Sequence, residues 1–466
     1  MTYFINRTQC RLQHPYRHYS HTTNTYVPTG THLKGIYHVL DTYVLTENMI
    51  KFLNILDGFN YPPKSGGDQA VYNGIQLLKH HLDYHIIVVT DNDNAVQRYK
   101  ADNPEVAITF FPIRRKNRIE CIHALCMRLQ RLLYRCSGCE DILAEYMASV
   151  NADILRYTRM YQFINRYIKD HGIEIVQTEF TRPLYWTQGI IGSAKIVFVQ
   201  HEIHYVVRAQ QMNLQENVSE SAQMLYEIEK KSEIQAMNGC DAVITLSHED
   251  RHELRKSGVT TNIYASFAKV TLRASQPQGR EMCLTFVGPE KHIPNRQGLM
   301  WFLDEIFSEL QQKLEHPIDL HIIGKWSTKT QKEWCAKYDH IHFDGFVPDL
   351  TAALRGSILI VPIHIGSGIR MKILEAANIG VAFVSTSVGS QGLGFIDGDN
   401  CFIADIASDF MQKTHRLIEN EALRLRFIEA SRQYVQQAFS DEAFVKSRMV
   451  CYNNLTKSNG VIEDNA

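Results

Sequence analysis

Arg370 and Lys372 stand two residues apart, directly after the turn Gly366-Ser367-Gly368, and Glu375 follows three residues later. Two fixed cations beside a glycine turn and a helix start suit a phosphate or diphosphate. Glycine lets the backbone approach a ligand closely, and the free N–H groups of a helix's first turn bind anions. Without an anion, each cation is unfavourable toward the helix dipole by about 0.3–1 kcal/mol. The same residues also fit a solvated surface on which Lys372 and Glu375 form an i, i+3 pair. The stretch alone does not choose between these two readings.

Three further stretches carry ligand-type residues. Gly66 and Gly67 lie in YPPKSGGDQ, residues 61–69. VGSQGLG, residues 388–394, supplies Gly389, Gly392 and Leu393. His201 closes the apolar run KIVFVQH and is followed by Glu202 and His204. A histidine at the carboxyl end of a parallel strand faces the ligand side of such a sheet, although a lone histidine there more often has a structural role.

Placing these residues requires strands that end in loops. HIIVVT (85–90), VAITFFPI (106–113), IEIVQTEF (173–180), KIVFVQH (195–201) and DAVITLS (241–247) read as buried strands, after MIKFLNIL (49–56) and a helix over 70–82. A second set follows: CLTFVG (283–288), a helix over 298–314, DLHIIG (319–324), HIHFDGFV (340–347), SILIVPI (357–363), the helix after the GSG turn, and VAFVSTS (381–387). Alternating strands and helices imply crossovers and parallel sheets. The expected architecture is two parallel α/β domains in tandem, joined through the weakly periodic stretch 262–279. On it the GSG and VGSQGLG loops share one rim, because neighbouring parallel strands end together.

The remainder of the chain sets bounds. A 466-residue chain with 44% hydrophobic and 21% charged residues builds sizeable cores. A net charge of −1 argues against bulk nucleic-acid binding. No apolar run is long enough to span a membrane, and the start of the chain lacks a secretory pattern. The expected location is cytoplasmic. Ten scattered cysteines, with a single CxxC pair at Cys136 and Cys139, read as reduced thiols. His14, His18 and His21 sit in a polar first segment that reads as an irregular tail rather than a metal site, and Met49 resembles a natural start. Residues 113–135 hold seven Lys or Arg against one Glu. They form either a basic surface helix or a peripheral dock on an anionic membrane. DNDN (91–94) reads as a turn, and no carboxylate cluster calls for a metal.

Together the motifs resemble the retaining glycosyltransferases of the GT-B fold, family 4 (glycosyl transferases group 1). The matching pieces are YPPKSGG, VQHEI with Arg208, DAVITLSHED, FVGPEKHIPNRQGLMWF, GFVPDL, GSGIRMKILEAANIG and VGSQGL, spread over residues 49–455. The resemblance implies two Rossmann-like parallel-sheet domains facing across a cleft. Residues 1–48 would be a poorly ordered extension, 49–265 the acceptor domain, 266–435 the nucleotide-sugar domain and 436–466 a crossover helix and tail. It implies that Arg370 and Lys372 hold the donor diphosphate and Glu375 the ribose. His201 would contact the donor sugar. Gly66 and Gly67 would close over the diphosphate, with Gly366, Ser367, Gly368, Gly389, Gly392 and Leu393 completing the donor site. No metal or other cofactor is implied, and the acceptor would be a glycan or lipid-linked sugar in surface-polysaccharide assembly. Ser367 stands where many members carry a second glutamate, which puts sugar recognition there in question. The family's basic residue after the FVG strand is displaced as well, with Pro289 in its place and Lys291 nearby. A UDP-sugar epimerase on the same fold, or a non-catalytic glycan- or nucleotide-binding protein, are the competing readings.

Overall fold

The computed structural model describes residues 49–112, 129, 158–214, 217–270 and 282–457. The expectations for residues 1–48, for the basic segment 113–135 and for the CxxC pair lie outside the described residues, Leu129 apart.

Thirteen described strands form two wholly parallel sheets. The first runs in the order β3-β2-β1-β4-β5-β6-β7. Its strands are β1 (Lys51–Asp57), β2 (Asp83–Val89), β3 (Ala107–Phe111), β4 (Ile175–Glu179), β5 (Lys195–Gln200), β6 (Ala242–Thr245) and β7 (Asn262–Ala265). The second is ordered β10-β9-β8-β11-β12-β13. It comprises β8 (Leu284–Val287), β9 (Leu320–Ile323), β10 (Ile341–Gly345), β11 (Ile358–Val361), β12 (Ala382–Ser385) and β13 (Phe402–Ile403). Helices cover both faces, which is why the central strands read as unbroken apolar runs. All four residues of β6, β11 and β12 are buried.

Seven helices bear on the site: α1 (Gly66–Leu78), α2 (His204–Asn213), α3 (Glu220–Asn238), α4 (His248–Lys256), α5 (Ile293–Phe302), α6 (Met371–Ile379) and α7 (Asp441–Thr456). Several differ from the sequence reading. The glycines of YPPKSGGDQ open α1 rather than precede it, because Ser65 and Asp68 form a reciprocal capping box. DNDN is a helix start, with Asn92 at the N-cap of residues Asp93–Asp102. β7 lies inside the stretch read as a linker; it is only four residues long and includes polar Asn262, so its periodicity is weak. The helix read over 298–314 begins at Ile293 and passes through a π-turn at Leu303–Phe307.

In each sheet the strand order reverses once, between β1 and β4 and between β8 and β11. Ligands of open α/β sheets sit beyond the strand ends at such switch points. β4 ends at Glu179, beside His201, and β11 leads into the GSG turn. The last helix, α7, returns to the first sheet. There Tyr452 packs on Phe52, with ring centroids 5.0 Å apart, and donates to Gln177 Oε1 at 2.6 Å.

Candidate active site

The GSG turn of the second half is seated directly on the β5–α2 loop of the first. Ser367 is buried, and its Oγ accepts from Ile203 N at 2.5 Å and donates to Ile203 O at 3.2 Å. Gly366 N donates to Gln210 Oε1 at 2.6 Å, and the Gly368 N–H lies near enough to the Asp250 carboxylate to favour its charged form. Gly368 has φ +70°, and a Cβ on it would lie 1.9 Å from His201 O, so both its backbone conformation and its surroundings require glycine. Ser367 therefore answers the question raised by the absent carboxylate in an unexpected way. It ties the two halves together at the loop that carries His201.

The cations flank this junction. Arg370 is the N-cap of α6 and Lys372 lies inside its first turn, so only Lys372 belongs to the helix proper. The Arg370 guanidinium folds back under the turn, where Nη1 donates to Ser367 O at 2.6 Å and Gly368 O at 2.9 Å. Nε and Nη2 are buried with no protein partner. Burial works against this charge, while Glu202 and Asp250 of the first half support it. Lys372 Nζ donates to Asn295 Oδ1 at 3.0 Å and lies 4.8 Å from the centre of the Phe286 ring. Burial, followed by the Arg370 charge, lowers its ammonium to about 7. Part of the side chain still reaches solvent, which softens that penalty. Glu375 is half-buried in the second turn of the same helix.

The first half contributes a matching set. Gly66 packs on the start of α6, where an added Cβ would lie 3.1 Å from Met371 Cβ. Gly67 faces Phe180, whose ring would be 3.2 Å from such an atom. Phe180 itself has φ +66°. That strained conformation costs on the order of 1–3 kcal/mol and is characteristic of functional sites. It brings the phenyl ring onto the His201 imidazole, with centroids 4.1 Å apart and planes 21° apart. His201 Nε2 lies 2.9 Å from Glu179 Oε2. Glu202 stands 3.8 Å from His292, across the junction. The Glu202 carboxyl feels a burial penalty, but His292, His204 and Arg370 outweigh it and hold the pKa below the usual range. Burial raises the pKa of Asp250 despite the Ser247 hydroxyl and the Gly368 N–H.

The VGSQGLG loop is closer to structural than its glycines imply. It opens with a short helix, Ser387–Ser390. Gly389 N donates to Thr386 Oγ1 at 3.0 Å, and Leu393 N to Ser390 O at 3.2 Å. Leu393 is buried and its carbonyl accepts from Tyr434. Gly392 lies against Ser247, the N-cap of α4. Arg208 pairs with Glu229 at 2.9–3.0 Å, pinning α2 to α3. Lys291 is exposed.

The structure thus brings His201, Gly66, Gly67, Gly366, Ser367, Gly368, Arg370 and Lys372 to one junction. It adds Glu179, Phe180, Gln210, Asp250 and Asn295, which the sequence reading did not single out. Glu179 was discoverable as the polar end of an apolar strand. Asp250 and Asn295 carry no local signal.

The arrangement can stabilise a polyanion between a cationic helix start and a histidine-bearing strand end. Residues 281–420 match the family model Glycosyl transferases group 1. The match covers β8 to the edge of the second sheet, including Asn295, Arg370 and Lys372. No curated protein matches the sequence. Among solved structures, a TarM mutant from S. aureus in complex with fondaparinux, α-GlcNAc-glycerol and UDP superposes with a TM-score of 0.63 at 12% identity, over 88% of this chain and 100% of that one. Sucrose-phosphate synthase from Thermosynechococcus elongatus gives 0.63 at 14% identity, over 87% and 99%. Anabaena HepE in complex with UDP-glucose gives 0.61 at 9% identity, over 86% and 99%. At these identities the likeness is one of fold, and that fold is GT-B.

Proposed function

We propose that the chain is a glycosyltransferase that moves a sugar from a nucleotide-diphosphate sugar to a glycan or lipid-linked acceptor with retention of configuration. The observation that carries this reading is the convergence of Arg370 and Lys372 with the glycine turn and His201 at the two switch points. The match of residues 281–420, which hold the cations, to the Glycosyl transferases group 1 model supports it. So do fold neighbours whose complexes contain UDP, a UDP-sugar and glycans.

On this reading, the bond between the anomeric carbon and the diphosphate oxygen breaks. A bond to an acceptor hydroxyl oxygen forms, and the hydroxyl proton leaves with the diphosphate. Lys372 and the unpaired nitrogens of Arg370 carry the charge that develops on the leaving group. Preorganised donors of this kind are worth most in a site closed to water, so the transfer needs no metal. Glu375 holds the ribose and His201 faces the sugar. A role in surface-polysaccharide assembly at the cytoplasmic face, with the basic segment 113–135 as a peripheral membrane contact, belongs to the same proposal. Among the described residues no helix is long and apolar enough to cross a membrane.

A thermal-shift screen of nucleotide-sugars followed by turnover assays tests the reading. A cognate donor at 100 times its dissociation constant raises stability by about 2.7 kcal/mol. Lys372→Ala should abolish both that shift and turnover while leaving the unliganded fold intact. Unchanged turnover in the variant sinks the assignment.

A further inference from the structure

His201 does not stand alone at the end of β5; a buried hydrogen-bonded chain leads from it to α7. Glu179 is buried at the end of β4 and uses both carboxylate oxygens. Oε2 faces His201 Nε2 at 2.9 Å. Oε1 accepts from Asn54 Nδ2 at 2.9 Å and from Gln177 Nε2 at 3.0 Å. Gln177 is braced in turn by the Tyr452 hydroxyl of α7 at 2.6 Å. Arg448, on the same helix, is buried with Nε and Nη1 unpartnered. It lines a small space with Tyr84, Gln177, Glu179 and His201.

The charge state follows from these contacts. Burial by itself pushes the Glu179 pKa up. The hydrogen bond and charge of His201, then the Arg448 charge and the Asn54 amide, together hold its pKa below the ordinary carboxylate value. The other titratable groups facing it are the Tyr84 and Tyr452 hydroxyls, both pushed up by burial and so neutral. An ionised carboxylate only accepts. Nε2 therefore carries the proton of the shared bond in either charge state of the ring, and whenever the imidazole is neutral its lone pair is on Nδ1. Among the described residues Nδ1 has no partner. Phe180, stacked on the ring, fixes its plane.

We infer that Glu179 is a positioning residue that sets the tautomer and orientation of His201, with Arg448 of α7 supplying the counter-charge. The ring then meets whatever enters the junction with an acceptor at Nδ1, or with a donor there once protonated. This couples the chain's last helix to the reacting end of β5. The catalytic part of the inference rests on the proposed function; the tautomer part does not.

The Glu179→Gln variant gives a specific readout. Asn54 and Gln177 both donate to Oε1, so the amide oxygen takes that position and the NH2 faces Nε2. The proton is then forced onto Nδ1. Nitrogen-15 NMR of the histidine-labelled protein, with the His201 signal assigned by its loss in His201→Gln, reads the tautomer directly, without substrate. The expected result is Nε2–H in the native protein and Nδ1–H in Glu179→Gln. With the cognate donor, kcat should fall by about 10-fold or more, with donor KM changed less than kcat. Glu179→Asp should restore part of both. The double variant Glu179→Gln/Arg448→Met removes the unpaired buried cation and should show the same inverted tautomer in a more stable background. An unchanged tautomer, or a native kcat in a variant whose tautomer has inverted, overturns the inference. If His201→Gln itself keeps native turnover, the proposed role of His201 falls, and the tautomer result then stands as structural only.

Discussion

The two sides of the junction are built from opposite materials. The second half presents cations, Arg370 and Lys372, compressed into three residues at one helix start. The first half presents carboxylates, Glu179, Glu202 and Asp250, at the ends or starts of three different elements. The cationic side can be recognised within a single sequence window. The acidic side is recognisable only after folding, because no two of those acids are near neighbours in the chain. Each side lowers the cost of burying the other. Arg370 supports the charge on Glu202 and Asp250, and they support its charge in return. The difference indicates that the cationic side is specified locally, whereas the acidic surface packed on it is specified by topology.

Breaking the seam between the sides should have the largest effect. In Gly368→Ala, the new methyl group meets the His201 carbonyl at 1.9 Å in a left-handed conformation. The turn must lift off the β5 end. A displacement of about 1 Å at a reacting centre costs on the order of 100-fold, so kcat/KM should drop by at least about that much while circular dichroism stays native. Gly398→Ala serves as a control for backbone strain alone, since its φ is +76° with nothing near the added atom.

Charge on the cationic side gives a pH signature. The Lys372 ammonium is lowered from 10.5 to about 7 by burial and by Arg370. The unfolded chain therefore binds more protons than the folded one between those values. Stability of the free protein should rise with pH across that window, and the penalty should be complete below it. A bound diphosphate needs the protonated form. Its affinity should accordingly be highest below about pH 7 and decline above it, with proton uptake on binding near pH 8. Calorimetry in two buffers of different ionisation enthalpy measures that uptake. Lys372→Met should remove the stability slope, and with the ammonium gone the binding itself should be lost.

The smallest effect is expected at Ser367. Ser367→Ala removes the two bonds to Ile203, a loss of about 1 kcal/mol. That corresponds to roughly fivefold in donor KM. An increase in kcat without a change in KM would instead indicate that the seam restrains release.

Much of the architecture was legible because buried parallel strands are written as apolar runs, from HIIVVT in β2 to SILIVPI in β11. β7 escaped because its run NIYA is only partly buried and includes polar Asn262, and β13 because two residues carry no periodicity. The start of α1 was shifted because capping by Ser65 acts on backbone geometry that hydrophobic spacing does not report.

The sequence by itself determined the cationic turn, the glycines around it and the histidine at a strand end, because each is a local pattern tied to one helix start or one strand terminus. Only the tertiary structure decided that Ser367 holds the seam rather than facing solvent, that Arg370 clasps its own turn, and that Glu179 and Arg448, 269 residues apart, line one space with His201. The reason is geometric. Two switch points and a returning helix bring distant side chains to within hydrogen-bond and ion-pair range, and no linear spacing encodes that approach.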